Sequence, residues 1–83
     1  MNFQIQHLLA AADIWEELGD DGYYLGFVQR GSNHETLSAQ QMKICLITPK
    51  AEGIQMKLWA NGDNLYFNYR WDQRAAYPYK FAQ

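Results

Sequence analysis

From residue 3 to residue 18 the apolar positions Ile5, Leu8, Leu9, Ala12 and Trp15 recur at helical spacing, and Ala10-Ala11-Ala12 adds helix propensity. The spacing predicts an N-terminal helix with Asn2 as its cap and Gly19 as its left-handed end, before a turn at Asp20-Asp21-Gly22. A competing parse makes Phe3-Gln4-Ile5-Gln6 a strand and uses Asp13 with Glu16 as the capping box of a shorter helix. Past the turn the period changes to two. Residues 22–30 read as a first strand, with Tyr23, Leu25 and Phe27 on one face and Tyr24, Gly26 and Val28 on the other. Residues 31–41 form a polar connection, and 42–48 make a second strand ended by Pro49.

Lys50-Ala51-Glu52-Gly53 turns the chain into a third strand over 54–60, and Asn61-Gly62-Asp63 is a strong hairpin signal leading to a fourth over 65–71. Parity then follows from burial. With Leu58 opposite Leu65 or Phe67, one face holds Ile54, Met56, Leu58, Leu65, Phe67, Tyr69 and Trp71, extended by Met42, Ile44 and Leu46. A slip of one residue would bury Gln55, Lys57 and Arg70 instead. Tyr77-Pro78-Tyr79-Lys80-Phe81 alternates again, and Pro78, which cannot donate to a ladder, restricts this tail to an edge. The predicted fold class is α+β: one single domain over 1–83, with the N-terminal helix packed on a four-stranded antiparallel sheet and the tail as an optional fifth strand.

Composition supports an ordered domain, since 48% of the 83 residues are hydrophobic and 19% charged. A chain this short buries only about 60 to 65% of its extended surface, so its stability is modest. The single cysteine, Cys45, has no partner for an intramolecular disulfide, which points to a reducing, cytoplasmic compartment. Leu8-Leu9-Ala10-Ala11-Ala12 is short for a signal core and has no Lys or Arg before it, so secretion is disfavoured. No run reaches the length of a membrane span, and no membrane partner is expected.

Net charge is -2 but uneven. Residues 1–42 hold six carboxylates against Arg30, whereas 43–83 hold six cations against three carboxylates. The acidic balance of the whole chain disfavours nucleic acid, which requires a basic footprint.

Catalytic signatures are missing from the sequence. His7 and His34 have no companion spacing for a metal, and no cofactor-binding motif occurs. Cys45 reads as an inert strand residue, although Lys43 and Lys57 would lower its pKa if it were exposed. The acidic pairs Glu16-Glu17 and Asp20-Asp21 fit a solvated helix end better than a carboxylate dyad.

Two surfaces remain as binding candidates. The second sheet face gathers Tyr24, Val28, Lys43, Ile47, Lys57, Trp59, Tyr66, Asn68 and Arg70, and one helix cannot cover both faces of a sheet. Of these, Trp59, Tyr66, Lys57, Arg70, Tyr24 and Asn68 are the candidate binding residues. Trp59 and Tyr66 read equally as a cross-strand aromatic pair that stabilises the hairpin by about 0.5 to 1 kcal/mol. The outer side of the acidic helix, with Phe3, Ala10 and Ile14 beside Asp13 and Glu17, is the second surface.

The run from Gly53 to Tyr69, Gly-Ile-Gln-Met-Lys-Leu-Trp-Ala-Asn-Gly-Asp-Asn-Leu-Tyr-Phe-Asn-Tyr, resembles a hairpin in the accessory β-sandwich domain of family-43 glycoside hydrolases. That resemblance keeps carbohydrate among the ligands considered. The expectation is a small non-catalytic interaction protein, of regulator or inhibitor type, whose partner is another protein or a second copy of itself in a homodimer. The alternative is a module that receives carbohydrate or single-stranded nucleic acid on Trp59 and Tyr66.

Overall fold

A computed structural model describes residues 11–29 and 42–83 of the chain. Five strands, β1 (Ile14–Glu17), β2 (Tyr23–Val28), β3 (Met42–Ala51), β4 (Ile54–Ala60) and β5 (Tyr79–Lys80), form one antiparallel sheet in sequence order. Short 3-10 segments at Gly19–Asp21 and Trp71–Ala76 complete the regular structure.

The expected helix and α+β class are overturned. Ile14–Glu17, which should have ended the helix, pairs instead with β2 as Ile14↔Gly26, Trp15↔Leu25, Glu16↔Tyr24 and Glu17↔Tyr23. Among the described residues no α-helix packs on the sheet, and the domain is nearly all-β. Tertiary pairing outweighs the small propensity differences that favoured helix here, because Gly19 (φ 66°) and Gly22 (φ 108°) bring β2 back beside β1. At Gly22 no side chain would fit, since a Cβ would fall against the Ile47 carbonyl. Of the acidic-helix surface, the described residues Asp13, Ile14 and Glu17 lie on or beside β1, and Ile14 packs against the core of Met42, Ile44, Ala60, Tyr69 and Trp71. Residues 3–10 and the connection 31–41, with Asn2, His7 and His34, lie outside the described residues.

The register of β3 and β4 keeps the predicted parity: Leu46 opposes Leu58 and Thr48 opposes Met56. The predicted fourth strand is a second correction. Residues 65–68 are not extended strand, and only Tyr69 returns to the sheet, bridging Met42 through two backbone bonds of 2.9 and 3.0 Å. The edge of β4 is taken by β5 instead, with Trp59↔Lys80 and Ala60↔Tyr79. Pro78 is tolerated there because its carbonyl still accepts from the Asn61 N–H at 2.7 Å.

Both faces of the sheet carry a core. On one, Met42, Ile44, Ala60, Tyr69 and Trp71 are buried, and Ile14, Tyr24, Val28, Tyr77 and Tyr79 pack on them. The cover is the chain after β4, not a helix. On the other, Ala12, Leu25, Cys45, Ile47 and Trp59 are buried with Tyr23 and Phe27 alongside. The middle of the face expected to be open is therefore buried, while Trp15, Lys57 and Lys80 on the same face are exposed. Tyr24 and Val28 do not share it, because Leu25 opposes Cys45 and Phe27 opposes Lys43, which sends the alternate residues Tyr24, Gly26 and Val28 to the opposite side. Sequence parity fails for β2 because both of its residue sets are apolar, which leaves the hydrophobic effect no preference.

Arg74 ties the C-terminal cover to the sheet. Its Nε and Nη2 donate to the two Glu16 carboxylate oxygens at 3.1 and 3.0 Å, Nη1 donates to the Trp71 carbonyl at 3.0 Å, and the guanidinium lies 4.7 Å from the Trp71 ring centre. The hydrogen bonds hold the Glu16 carboxyl below its usual range and raise the guanidinium further. The Tyr79 hydroxyl donates to the Arg74 carbonyl at 2.6 Å and fastens the tail to the same segment.

Candidate functional site

The Asn61-Gly62 signal does make a tight turn, with φ of 54° and 70°, closed by Gly62 N–H to Trp59 O at 2.8 Å and Asp63 N–H to Ala60 O at 3.0 Å. Asp63 then diverts the chain. One carboxylate oxygen accepts from the Leu65 and Tyr66 N–H groups at 2.9 and 3.0 Å, and the other accepts from the Tyr69 hydroxyl at 3.0 Å. Such a side-chain-capped turn curls the backbone instead of extending it. Desolvation pushes the Asp63 carboxyl upward, yet these three donors and the Lys43 charge outweigh it and hold the carboxyl below its usual value.

A corner of fixed shape results. Leu65 and Tyr66 are 65% and 63% exposed at its tip, although the backbone N–H of each is bonded. Next to them Phe67 is half-buried, with the Lys43 ammonium 4.5 Å from its ring centre. Two large apolar side chains in water on an anchored loop can meet a partner at small ordering cost.

The six residues predicted as a binding face are dispersed. Trp59 is 9% exposed and belongs to a core, beside Phe27 at 5.9 Å between ring centres. Lys57 extends its ammonium to 5.2 Å from the Trp59 ring. Tyr24 lies on the opposite face against Tyr79 at 5.5 Å. Arg70 is paired with Asp72 through bonds of 3.0 and 2.8 Å, while its backbone N–H donates to the Tyr77 hydroxyl. Asn68 is exposed on the irregular stretch after the corner, and Tyr66 is at its tip. The paired Trp59–Tyr66 platform needed for stacking on a sugar or base is not built, because Tyr66 is not on a strand and Trp59 offers little open ring.

Parity places Leu65 and Phe67 in the core, whereas Leu65 is exposed at the corner and Phe67 half-buried beside it. The usable signal was Asp63 itself, an Asp just after an Asn-Gly turn and able to capture the N–H groups two and three residues on.

Cys45 is fully buried, and burial pushes its thiol up to about 12 against the small opposing effect of Lys57. A thiol so protonated is a poor nucleophile. Among the described residues no three His, Cys, Asp or Glu side chains gather as metal ligands. A cleft of about 200 Å³ lies between Gly19, Asp20, Gly22, Tyr23, Ile47, Pro49 and Gln55. It is smaller than the roughly 300 to 1,000 Å³ usual for small-molecule sites. Comparison with protein-family models, curated proteins and solved structures gives no match.

Proposed function

We propose that the protein is a non-catalytic interaction module, of regulator or inhibitor type, that contacts another protein through the Leu65–Tyr66 corner. The observation that carries this reading is the combination of high exposure at both side chains with backbone bonding to Asp63 beneath them. A loop held only for folding would be free to turn one of these side chains inward. Tyrosine is also among the residue types that most often dominate interface energetics.

Capture from cell extract by the wild-type chain and by Tyr66→Ser and Leu65→Ser, each compared by mass spectrometry and thermal melting, tests the proposal. Melting should change little, because neither side chain is in a core. A partner retained by the wild type should bind each variant more weakly by about 1 to 2 kcal/mol or more. Equal capture by all three proteins would remove the corner from consideration.

A further inference from the structure

The strand register brings three lysines around one aromatic residue. Lys80 is directly across from Trp59, and Lys57 is two residues before it on β4. Lys43 is two residues before Cys45, the partner of Trp59 on β3. Residues paired directly, or two apart on a strand, point to the same face, so Lys43, Lys57 and Lys80 lie on one side of the sheet. Lys57 and Lys80 are exposed and Lys43 is half-buried. The Lys43 and Lys57 ammoniums are stationed over the Phe67 and Trp59 rings, which limits their wandering.

Little negative charge compensates them. Among the described residues the carboxylate ion pairs go to Arg70 and Arg74 and none to these lysines. Asp63 acts on Lys43 electrostatically, but its oxygens already serve Leu65, Tyr66 and Tyr69. Glu17 shares the face at the other edge, in the row Glu17, Tyr23, Ile47 and Lys57. Three strand spacings, about 14 Å, separate it from Lys57.

Resting on the corner as the contact, we infer that the partner is acidic: a carboxylate-rich polypeptide segment that passes from Leu65 and Tyr66 over Lys43 and along the β4–β5 edge by Lys80 and Lys57. Lys43 and Lys57 are separated by four residues of strand, about 13 Å, and by one strand spacing, which an extended segment of about four or five residues spans. Carboxylates at alternate residues of such a segment recur at about 6.6 Å, close to the spacing of same-face positions on the sheet. The apolar corner, with Leu65 and Tyr66 exposed, gives a polypeptide side chain something to pack against that a phosphate chain would leave unused.

Fluorescence anisotropy with a labelled peptide of about ten residues, glutamate-rich and ending in Leu-Leu-Phe, tests the inference against a lysine-rich counterpart and an oligothymidine of similar length. The acidic peptide should bind, the lysine peptide should not, and about 0.3 M salt should weaken the complex. Lys57→Glu combined with Lys80→Glu should weaken binding about tenfold or more with unchanged melting, since both side chains are exposed. Failure of the wild type to bind the acidic peptide, or undiminished binding by the double variant, overturns the inference. Equal or tighter binding of the oligothymidine with the same lysine dependence also overturns it, by assigning the track to phosphate. The corner itself fails separately, when Tyr66→Ser and Leu65→Ser leave partner capture unchanged.

Discussion

Gly26 is the position where a single methyl group tests how the C-terminal cover packs on the sheet. A Cβ built there would stand 2.5 Å from Met42 Cε, 2.7 Å from Ile14 Cγ2 and 2.9 Å from Trp71 Cε3. Met42 is fully buried and Trp71 7% exposed, so neither neighbour has open space to move into. Overpacking of this kind costs about 1 to 3 kcal/mol. Against it, alanine restricts the unfolded chain and returns about 0.4 to 1 kcal/mol, since Gly26 does not occupy the left-handed region. Three approaches below 3 Å put the overpacking cost at about 2 to 3 kcal/mol, so the net expectation for Gly26→Ala is a loss of about 1 to 2.6 kcal/mol, a fall in Tm on the order of 4 to 21 °C for a domain of this size. Urea unfolding followed by circular dichroism gives the free energy, and the double-mutant cycle with Trp71→Leu isolates the clash. Relief of the Gly26→Ala penalty in the double variant is the expected coupling. Gly53→Ala is the control, with φ 75° and nothing within 4 Å of the added carbon, so that its cost is backbone strain alone. Gly26→Ala at wild-type stability or above would refute the placement of Trp71 over β2.

Asp63→Asn should loosen the corner, because the one amide oxygen can keep the Leu65 and Tyr66 bonds only, more weakly than a carboxylate, and the NH2 cannot accept from the Tyr69 hydroxyl; amide exchange at Leu65 and Tyr66 should accelerate, and unchanged exchange would contradict the capped turn. Asp63 and Glu16 both have carboxyls lowered in the folded state, so the stability they contribute is present above their unfolded values near pH 4 and is lost as pH falls through the folded ones. Acid titration of urea midpoints should show a shallower decline for Asp63→Asn than for the wild type. Cys45 should resist a thiol reagent at pH 8 in the native protein and react on unfolding, and rapid native labelling would show that the β3 core is open.

The sequence made the alternation of β3 and β4 readable because each strand has one predominantly apolar set of positions. Met42, Ile44 and Leu46 could share a face with Met56 and Leu58 only if the charged Lys57 took the other, and the pairing Leu46↔Leu58 agrees. The bounds of β4 were equally plain, with Gly53 (φ 75°) before it and the Asn61-Gly62 turn after it. In β2 neither set is preferred, since Tyr23, Leu25 and Phe27 compete evenly with Tyr24, Gly26 and Val28. Tyr24 is therefore expected beside Trp59, whereas the two stand on opposite faces of the sheet.

Larger errors arose where local pattern and tertiary demand diverged. Ile14 and Trp15 fit the helical stripe of the preceding residues, yet β2 has two apolar faces and an edge to be paired, and β1 supplies the partner. Leu65 to Trp71 alternates as a strand should, but the carboxylate of Asp63 satisfies two of its N–H groups locally before a ladder with β4 can do so. The edge of β4 is then left to Tyr79 and Lys80, and the aromatic side chains of Tyr69, Trp71, Tyr77 and Tyr79 close the face that a helix was expected to cover. One carboxylate thus links the fold to its candidate site: by stopping a hairpin it frees the C-terminal aromatics to build a core, and it sets Leu65 and Tyr66 in water.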